Sequence, residues 1–355
     1  MTMAILYRSE ICKDPKLLLT AMFVWLFIIN SSTSSILLAI AQVTQKGDFG
    51  NVSPKTHEIE VGIEELPQGQ IAYKMIKYIQ RDNNNQTVDV TTRYNSQPTI
   101  PGPTIVVTEG DRVKITLVNE MGWGSPSIHT HGVHYKITSD GTAKAVNGVA
   151  NESSSPNSSF TYEWEAGEDT AGSWPFHDHT LAKNSFGMNM NGLETVGLFA
   201  SIIVNPSDGK VNALVNDVPS QINVKDIDKD FVLFISDETF WGTEIDHSNG
   251  EKHTPLWVNP TLVAANNETV RFDIHSLGNE FHNFTMDNVK WLRPGTNETI
   301  NSQIIGPLAN LVFTVDANKN ATYSDNTELN PLREMKGELI VDSDGGASIP
   351  GESPL

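Results

Sequence analysis

Four histidines stand in two short motifs, each with the pattern His-x-His. His129 and His131 lie in the run IHTHG, and His177 and His179 lie in the run WPFHDH. Residues i and i+2 of a β-strand point to the same face, so each motif sets two imidazoles side by side. If the two strands are neighbours in a sheet, the four rings form a cage of nitrogen donors.

Such a cage is suited to a metal ion. Imidazole binds copper and zinc well, and copper gains the most from nitrogen ligands along the divalent series. An isolated histidine is usually a surface residue, but four of the ten histidines of this chain fall in the two paired motifs. The sequence therefore predicts a copper site at His129, His131, His177 and His179.

The rest of the sequence is typical of an all-β protein. From about residue 59 onward, short β-rich runs such as 70–75 and 104–107 alternate with Gly, Pro and Asn clusters. No stretch beyond the N-terminal region keeps the apolar spacing of an amphipathic helix. An apolar run at 196–206 closes a first unit, and runs at 230–235 and 337–342 open and close a second. This repeat predicts two β-sandwiches in series.

The chain divides into six predicted segments. Charged residues, an apolar run too short to span a bilayer comfortably and the pattern AIA ending at Ala41 predict a signal peptide, with a retained membrane anchor as the alternative. The segments are a signal peptide or anchor at 1–41, an N-terminal extension at 42–58, a first domain at 59–207, a linker at 208–225, a second domain at 226–345 and a flexible tail at 346–355.

Charge and sequons narrow the partners and the environment. The formal net charge of -19 argues against nucleic acid, because an acidic surface repels phosphates. Asn-x-Ser/Thr sequons would let glycans cover an exported protein. Seven of them begin at Asn51, Asn85, Asn151, Asn157, Asn267, Asn297 and Asn320. We expect the protein to be secreted or held on the extracellular face of the cell envelope.

Three motifs together resemble the first domain of the two-domain small laccases, a group within the multicopper oxidases. They are the run HTHGVHY that begins at His129, the run SDGTA that begins at Ser139, and the run WPFHDH. The resemblance covers most of the chain from about residue 60 to residue 345. It implies two tandem cupredoxin domains, which are Greek-key β-sandwiches, and copper as the cofactor.

The resemblance also implies a role for each residue of the first motifs. His129 would face a type 2 copper, Tyr135 would lie beside the cluster, and Asp140 would lie on the proton route. The residues that would face a type 3 copper pair are His131, His177 and His179. From the residues alone, Tyr135 could equally be a packed core residue and Asp140 a turn residue. Small laccases close their clusters between neighbouring subunits, which implies a homotrimer.

The second domain departs from the family pattern. His282 stands at the position of a type 1 ligand, but Thr285 and Asp287 stand where the family has cluster histidines. A type 1 copper needs a cysteine thiolate, and Cys12, the only cysteine, lies inside the predicted signal peptide. We predict no type 1 site and no ordinary laccase activity. Asp287 and His282 are candidate extra ligands, with a solvated loop residue and a hydrogen-bonded core histidine as the alternatives.

These features favour a secreted, multicopper-oxidase-like copper protein that acts as an oxidoreductase. Its four-histidine site would be what remains of the type 2 and type 3 sites, without a type 1 copper. Its electrons would come from a small-molecule reductant or from a cupredoxin donor. One alternative is a non-catalytic protein that binds or stores copper, which the thioethers of Met188 and Met190 would suit. Another is a structural protein of the envelope, in which the metal locks a trimer together.

Overall fold

A computed structural model describes residues 53–67, 69–142, 157–179, 182–183, 189–190, 197–236, 238–327 and 335–342. The predicted signal peptide or anchor and the predicted tail lie outside these residues. Within them, no helix is both long and apolar enough to cross a membrane. Their regular structure is β-strand with short 3-10 helices at Thr91–Arg93, Ile137–Ser139 and Val224–Asp226, which confirms the all-β prediction.

The strands of the first half build one sandwich. They are β1 (Thr56–Glu65), β2 (Ile71–Arg81), β3 (Thr87–Asp89), β4 (Ile105–Thr108), β5 (Arg112–Asn119), β6 (His129–Thr130), β7 (His134–Tyr135), β8 (Ser158–Glu165), β9 (Gly172–His177), β10 (Ala182–Lys183), β11 (Asn189–Met190) and β12 (Phe199–Asn205). One sheet has the order β3-β2-β1-β5-β8-β7, another has the order β4-β12-β9-β6, and β10 pairs with β11. The two larger sheets enclose a common apolar core.

The strands of the second half build another sandwich. They are β13 (Lys210–Val215), β14 (Val218–Asn223), β15 (Lys229–Ser236), β16 (Thr239–Asp246), β17 (Lys252–Val258), β18 (Thr261–Ala265), β19 (Thr269–Ser276), β20 (His282–Met286), β21 (Trp291–Leu292), β22 (Thr299–Ile300), β23 (Ser302–Ile305), β24 (Asn310–Asp316), β25 (Ala321–Asp325) and β26 (Lys336–Asp342). The sheet β14-β13-β24-β19-β15-β16-β17 and the sheet β18-β26-β25-β20-β23 share an aromatic-rich core, and β21 pairs with β22.

A hairpin takes the place of the polar connector predicted at 208–225. β13 and β14 pair along their whole length, and Leu214 of β13 lies opposite Val315 of β24. The segment has a polar sequence because most of its side chains stay in contact with solvent at the edge of the sheet, while only Ala213 and Leu214 are buried. The other domain boundaries stay predictions.

A third apolar layer joins the two sandwiches. Val232 and Phe234 of β15 enter this layer, and Phe199 and Ile203 of β12 enter it from the first sandwich. The ring centroids of Phe199 and Phe234 are 5.0 Å apart. A strand that is buried on both faces needs a continuous apolar run, which explains why β15 does not alternate with polar residues. Through this contact, β9 packs against β19 and β24.

A buried polar stripe runs beside the apolar layer. Arg271 of β19 donates to Asp230 of β15 through Nε at 2.9 Å and through Nη2 at 2.8 Å. Its Nη1 donates to Asn205 of the first sandwich at 2.9 Å. Although burial raises the pKa of Asp230, the charge of Arg271 and a hydrogen bond from His247 bring that pKa down to about 2. Asp230 is therefore ionised and stabilised in the folded protein.

Asp273, two residues after Arg271, has a different environment. Its carboxylate is fully buried, and neither oxygen makes a hydrogen bond of good geometry. Arg271 Nε lies 3.6 Å away, which is too far for a hydrogen bond. Burial raises the pKa of Asp273 to about 7 in spite of the attraction of Arg271. Between pH 3.8 and about pH 7, Asp273 is therefore mostly protonated in the folded protein and mostly ionised in the unfolded chain.

Asp273→Asn should stabilise the protein at pH 8 and much less at pH 5. With a raised folded pKa, the stability that Asp273 contributes is complete below its ordinary pKa of 3.8 and is lost as the pH rises to about 7. The amide removes this loss, and we expect thermal melts at pH 8 to rise by roughly 2–6 °C. Asp230→Asn, which takes from Arg271 the carboxylate that accepts two of its hydrogen bonds, should lower the melting temperature at both pH values. An equal gain for Asp273→Asn at pH 5 and pH 8 would contradict the prediction.

Candidate metal centre

The two His-x-His motifs meet on adjacent strands. β6 pairs antiparallel with β9, and His129 lies directly opposite His177. His131 lies just beyond β6, where its backbone N–H donates to the carbonyl of Pro175 at 3.1 Å. This register brings the four imidazoles into one cluster.

The rings of the cluster contact one another. The centroid of the His129 ring lies 4.9 Å from that of His131, 5.8 Å from that of His177 and 5.2 Å from that of His179. The His177 ring lies 5.3 Å from the His131 ring and 5.6 Å from the His179 ring. His177 is buried and His179 is exposed, so the cluster is open to solvent on the His179 side.

His131 and His177 point their Nε2 atoms at each other across 3.1 Å. Two nitrogens bound to one metal ion at about 2.0 Å, with about 90–110° between the bonds, stand roughly 2.8–3.3 Å apart. The two rings therefore have the spacing of two ligands on one ion. Without a metal, the same distance is that of an N–H···N hydrogen bond.

Backbone carbonyls orient two of the rings. His129 Nδ1 donates to the carbonyl of Asp140 at 2.5 Å, and His177 Nδ1 donates to the carbonyl of Asp178 at 2.9 Å. A neutral imidazole that donates from Nδ1 keeps the lone pair of Nε2 for a metal. Burial and the neighbouring rings lower the pKa of His131 to about 3. Burial also lowers the pKa of His129, so both rings are uncharged at neutral pH.

Tyr135 and Asp140 both lie beside His129. The Tyr135 ring centroid is 6.1 Å from that of His129, and Asp140 Oδ1 is 3.6 Å from His129 Nδ1. Tyr135 and Thr142 hydrogen-bond to the Asp140 carboxylate. Although burial raises the pKa of Asp140, these hydrogen bonds and His129 lower it below the ordinary value. The structure thus places an ionised carboxylate and a tyrosine against the same imidazole.

Asp178, between the two histidines of the second motif, ties the motifs together. Its side chain is fully buried, and Oδ1 accepts a hydrogen bond from the backbone N–H of Ser127 at 2.7 Å. Ser127 Oγ accepts from the backbone N–H of His179 at 3.2 Å. Ser127 precedes the first motif, so these two bonds fix one motif against the other. Sequence reasoning assigned Asp178 no role, although the alternation that turns the histidines to one face turns Asp178 to the other.

Two glycines shape the turns around the cluster. Gly132 has a φ of 68° and Gly141 a φ of 72°, a region that other residues rarely adopt. A Cβ on Gly132 would overlap the Trp174 ring, and a Cβ on Gly141 would overlap the carbonyl of Ile128. Gly141 directly follows the carbonyl that orients His129. Neither position accepts a side chain unless the ring or the backbone moves.

The candidate ligands of the second sandwich have other partners. His282 is buried, and its Nδ1 lies 2.9 Å from Asp325 Oδ2. The Asp325 carboxylate accepts three further hydrogen bonds from neighbouring groups. Asp287 is exposed, and its Oδ1 accepts from the backbone N–H of Thr322 at 2.6 Å. A role for Asp287 or His282 as a metal ligand stays a prediction.

The described part of the chain contains no three His, Cys, Asp or Glu side chains that, as they stand, could hold one metal ion. The facing pair of His131 and His177 offers two nitrogens, with two further rings beside it. Met188 lies outside the described residues, and only the backbone of Met190 is described. An ion at the facing pair therefore needs further ligands from a shift of the flanking rings, from solvent or from another chain.

Comparison with known proteins relates this site to a family. The family model for multicopper oxidases matches residues 76–208, which include all four histidines. The match shows that residues 76–208 are similar to a multicopper oxidase domain. Copper is the cofactor that such a domain implies, and the imidazoles of the cluster are donors of the type that copper prefers.

Two relatives match this chain along part of their length. A probable nitrite reductase-hydroxylamine oxidoreductase fusion protein of Kuenenia stuttgartiensis is 28% identical over 226 residues, 61% of this chain and 24% of that protein. An L-ascorbate oxidase of Cucumis sativus is 33% identical over 112 residues, 31% of this chain and 16% of that protein. The chain therefore matches less than a quarter of the length of either relative.

A solved structure extends the comparison to the second sandwich. A copper nitrite reductase from Nitrosomonas europaea aligns with a TM-score of 0.52 and 17% identity, over 82% of this chain and 95% of that chain. This likeness shows the fold alone. Because the aligned part is longer than either sandwich, it confirms the prediction of two tandem cupredoxin sandwiches.

Proposed function

We propose that the chain is a copper-dependent oxidoreductase with a single copper site, smaller than the copper cluster of the family, in its multicopper oxidase domain. The site consists of His129, His131, His177 and His179. The facing pair carries the proposal, because its Nε2 atoms stand 3.1 Å apart, as two ligands of one ion would. The lowered pKa of His131 adds support, since a neutral ring does not have to lose a proton before it binds a metal.

Each part of the surroundings has a task in this proposal. The carbonyls of Asp140 and Asp178 hold the Nδ1 protons of His129 and His177 and keep the Nε2 lone pairs for the metal. Copper bound there supplies one-electron redox chemistry. Tyr135 and the ionised Asp140 carboxylate form a hydrogen-bonded pair beside His129, where the carboxylate can accept and pass a proton.

We also propose that the chain has no type 1 copper. Its only cysteine is Cys12, and a type 1 site needs a thiolate. Support comes from His282, at the position of a type 1 ligand, which bonds to the Asp325 carboxylate. A carboxylate that accepts hydrogen bonds on both oxygens joins these loops without a metal. Electrons then have to come from a small-molecule reductant or a cupredoxin donor.

Metal analysis of the purified full chain tests the copper site. After reconstitution, we expect elemental mass spectrometry to give about one copper per chain and electron paramagnetic resonance to give a type 2 signal. His177→Ala should abolish both, because it removes one half of the facing pair. His253→Ala is the matched control, since His253 is also buried but lies against Tyr94, away from the cluster. Copper that survives His177→Ala, or that is lost equally with His253→Ala, overturns the proposal.

A protein that stores copper without turnover is the second candidate. The hydrogen-bonded pair of His282 and Asp325 favours it, because this pair occupies the position at which a type 1 copper would receive electrons. Oxygen uptake in the presence of a reductant separates the candidates. An oxidoreductase that uses oxygen as its electron acceptor consumes oxygen in proportion to its bound copper, whereas a storage protein only exchanges the metal.

We further propose that the protein is exported and forms a homotrimer. Sequons at the exposed residues Asn85, Asn157, Asn267, Asn297 and Asn320 support export. The open side of the cluster at His179 supports assembly, because a second chain could add ligands there. Mass spectrometry of the exported protein and sedimentation analysis test the two proposals. Unmodified sequons on an exported chain remove the support from glycans, and a copper-loaded monomer contradicts the trimer.

A further inference from the structure

A pocket of about 380 Å³ lies in the first sandwich next to the copper cluster. Its walls come from β5, β7 and β8 and from the turn that follows β7. None of the four cluster histidines lines it. This volume lies within the range of about 300–1,000 Å³ that small-molecule sites occupy.

The charge of this pocket is opposite to that of the chain. Three cations line it, Arg112, Lys114 and Lys136, against two carboxylates. Lys114 pairs with Glu163 at 3.1 Å, and Arg112 pairs weakly with Glu165 at 3.8 Å. Lys136 is exposed and has no ion pair with another described residue. Three cations and two carboxylates give the lining a net charge of +1, which attracts a small anion more than the remaining acidic surface does.

Tyr135 connects the pocket to the copper cluster. It lines the pocket, its ring lies 6.1 Å from the His129 ring, and its hydroxyl bonds to Asp140. Thr138 and Ser139, which directly precede Asp140, also line the pocket. A molecule bound in the pocket therefore contacts β7, and Tyr135 of β7 lies against the His129 ring of the cluster.

We propose that this pocket binds a small anionic reductant and admits electrons to the copper site in place of a type 1 copper. The inference rests on the proposed function. An anionic hydroquinone has the required chemistry: its acidic group pairs with Lys136 and Arg112, and its ring lies near Tyr135. With Cu(II) held by the histidine cluster, the hydroquinone would lose one electron to that copper and one proton to solvent and would become a semiquinone. Two semiquinones then disproportionate to hydroquinone and quinone.

Two probes with the same redox-active ring test the pocket. One is 2,5-dihydroxybenzenesulfonate, which is an anion and a weak copper ligand, and the other is neutral hydroquinone. The variant is Lys136→Glu, and the control is Lys319→Glu, the same charge change at an exposed lysine of the second sandwich. In titration calorimetry of the copper-free full chain, we expect Lys136→Glu to weaken binding of the sulfonate about tenfold or more. Lys319→Glu should leave that binding unchanged.

The copper-loaded chain gives a second readout. On anaerobic mixing, the Cu(II) signal in electron paramagnetic resonance should disappear faster with the sulfonate than with hydroquinone. Lys136→Glu should remove this preference. It should not change the copper content, because Lys136 is not a ligand.

The two proposals fail in different ways. If the chain holds copper but neither binds the sulfonate nor prefers it, the pocket proposal is wrong and the copper site stands. If the sulfonate binds but no variant holds copper, the proposed function is wrong and so is electron entry through the pocket. Equal weakening by Lys136→Glu and Lys319→Glu indicates a general charge effect and also overturns the pocket proposal.

Discussion

Gly132→Ala should cost the protein its copper and about 2–5 kcal/mol of stability. Alanine at a φ of 68° is strained by about 1–2 kcal/mol. The added Cβ would also overlap the Trp174 ring, so the ring or the turn has to move, which typically costs about 1–3 kcal/mol more. Gly132 directly follows His131, and any movement of this turn separates His131 from His177. Copper content and urea denaturation measure the two losses.

Gly209→Ala separates the effect of backbone strain from that of the overlap. Gly209 has a φ of 67°, but a Cβ there meets nothing within 4 Å. We expect this variant to lose only about 1–2 kcal/mol and to keep its copper. Trp174→Ala combined with Gly132→Ala should recover part of the copper binding, because it removes the overlapping ring. Equal losses of stability and copper in Gly132→Ala and Gly209→Ala would show that packing against Trp174 has no role in the site.

The local part of this site could be predicted from the sequence. The period of two along a β-strand places His129 and His131, and likewise His177 and His179, side by side. The structure sets the two pairs on adjacent strands, with His129 opposite His177. Tyr135 could be placed only by resemblance, because nothing in its own neighbourhood of the sequence distinguishes a tyrosine beside a metal from one in a core.

The parts of the site that depend on long-range pairing could not be predicted. Asp178 is an acid between two candidate ligands, and only the folded strands show that it reaches Ser127, 51 residues away in sequence. The hairpin of β13 and β14 could not be predicted, because an exposed edge strand has a polar sequence much like that of a connector. The basic pocket combines Arg112, Lys136 and Glu163 from three separate segments, within a sequence whose overall charge is strongly negative.

Asp178→Ala should have the second large effect, a loss of roughly 2–4 kcal/mol of stability together with most of the copper affinity. Alanine leaves the backbone N–H of Ser127 buried without its acceptor, and an unsatisfied buried donor costs about 1–3 kcal/mol. The bond from His179 to Ser127 then loses its support. Chemical denaturation measures the stability, and titration with Cu(II) under a competing chelator measures the affinity.

Asp178→Asn distinguishes the loss of the hydrogen-bond acceptor from the loss of the carboxyl group. The amide keeps an oxygen that can accept from Ser127, so we expect it to recover more than half of both losses. If Asp178→Asn lost as much stability and copper affinity as Asp178→Ala, the negative charge itself would be the important property, through its effect on the neighbouring imidazoles.

The spectrum of bound Cu(II) distinguishes a variant that is only less stable from one whose metal ligands have moved. Asp178 fixes one His-x-His motif against the other, so its removal should reduce the number of nitrogen couplings on bound Cu(II), even at a temperature where the variant is fully folded. Asp230→Asn also removes a buried carboxylate, but it acts between β15 and β19, away from the cluster. That variant should be destabilised and yet keep the wild-type copper spectrum. An unchanged spectrum in Asp178→Ala would show that Asp178 stabilises the sandwich without positioning the metal ligands. A changed spectrum in Asp230→Asn would show that the copper spectrum responds to any loss of stability, and would remove the evidence for a positioning role.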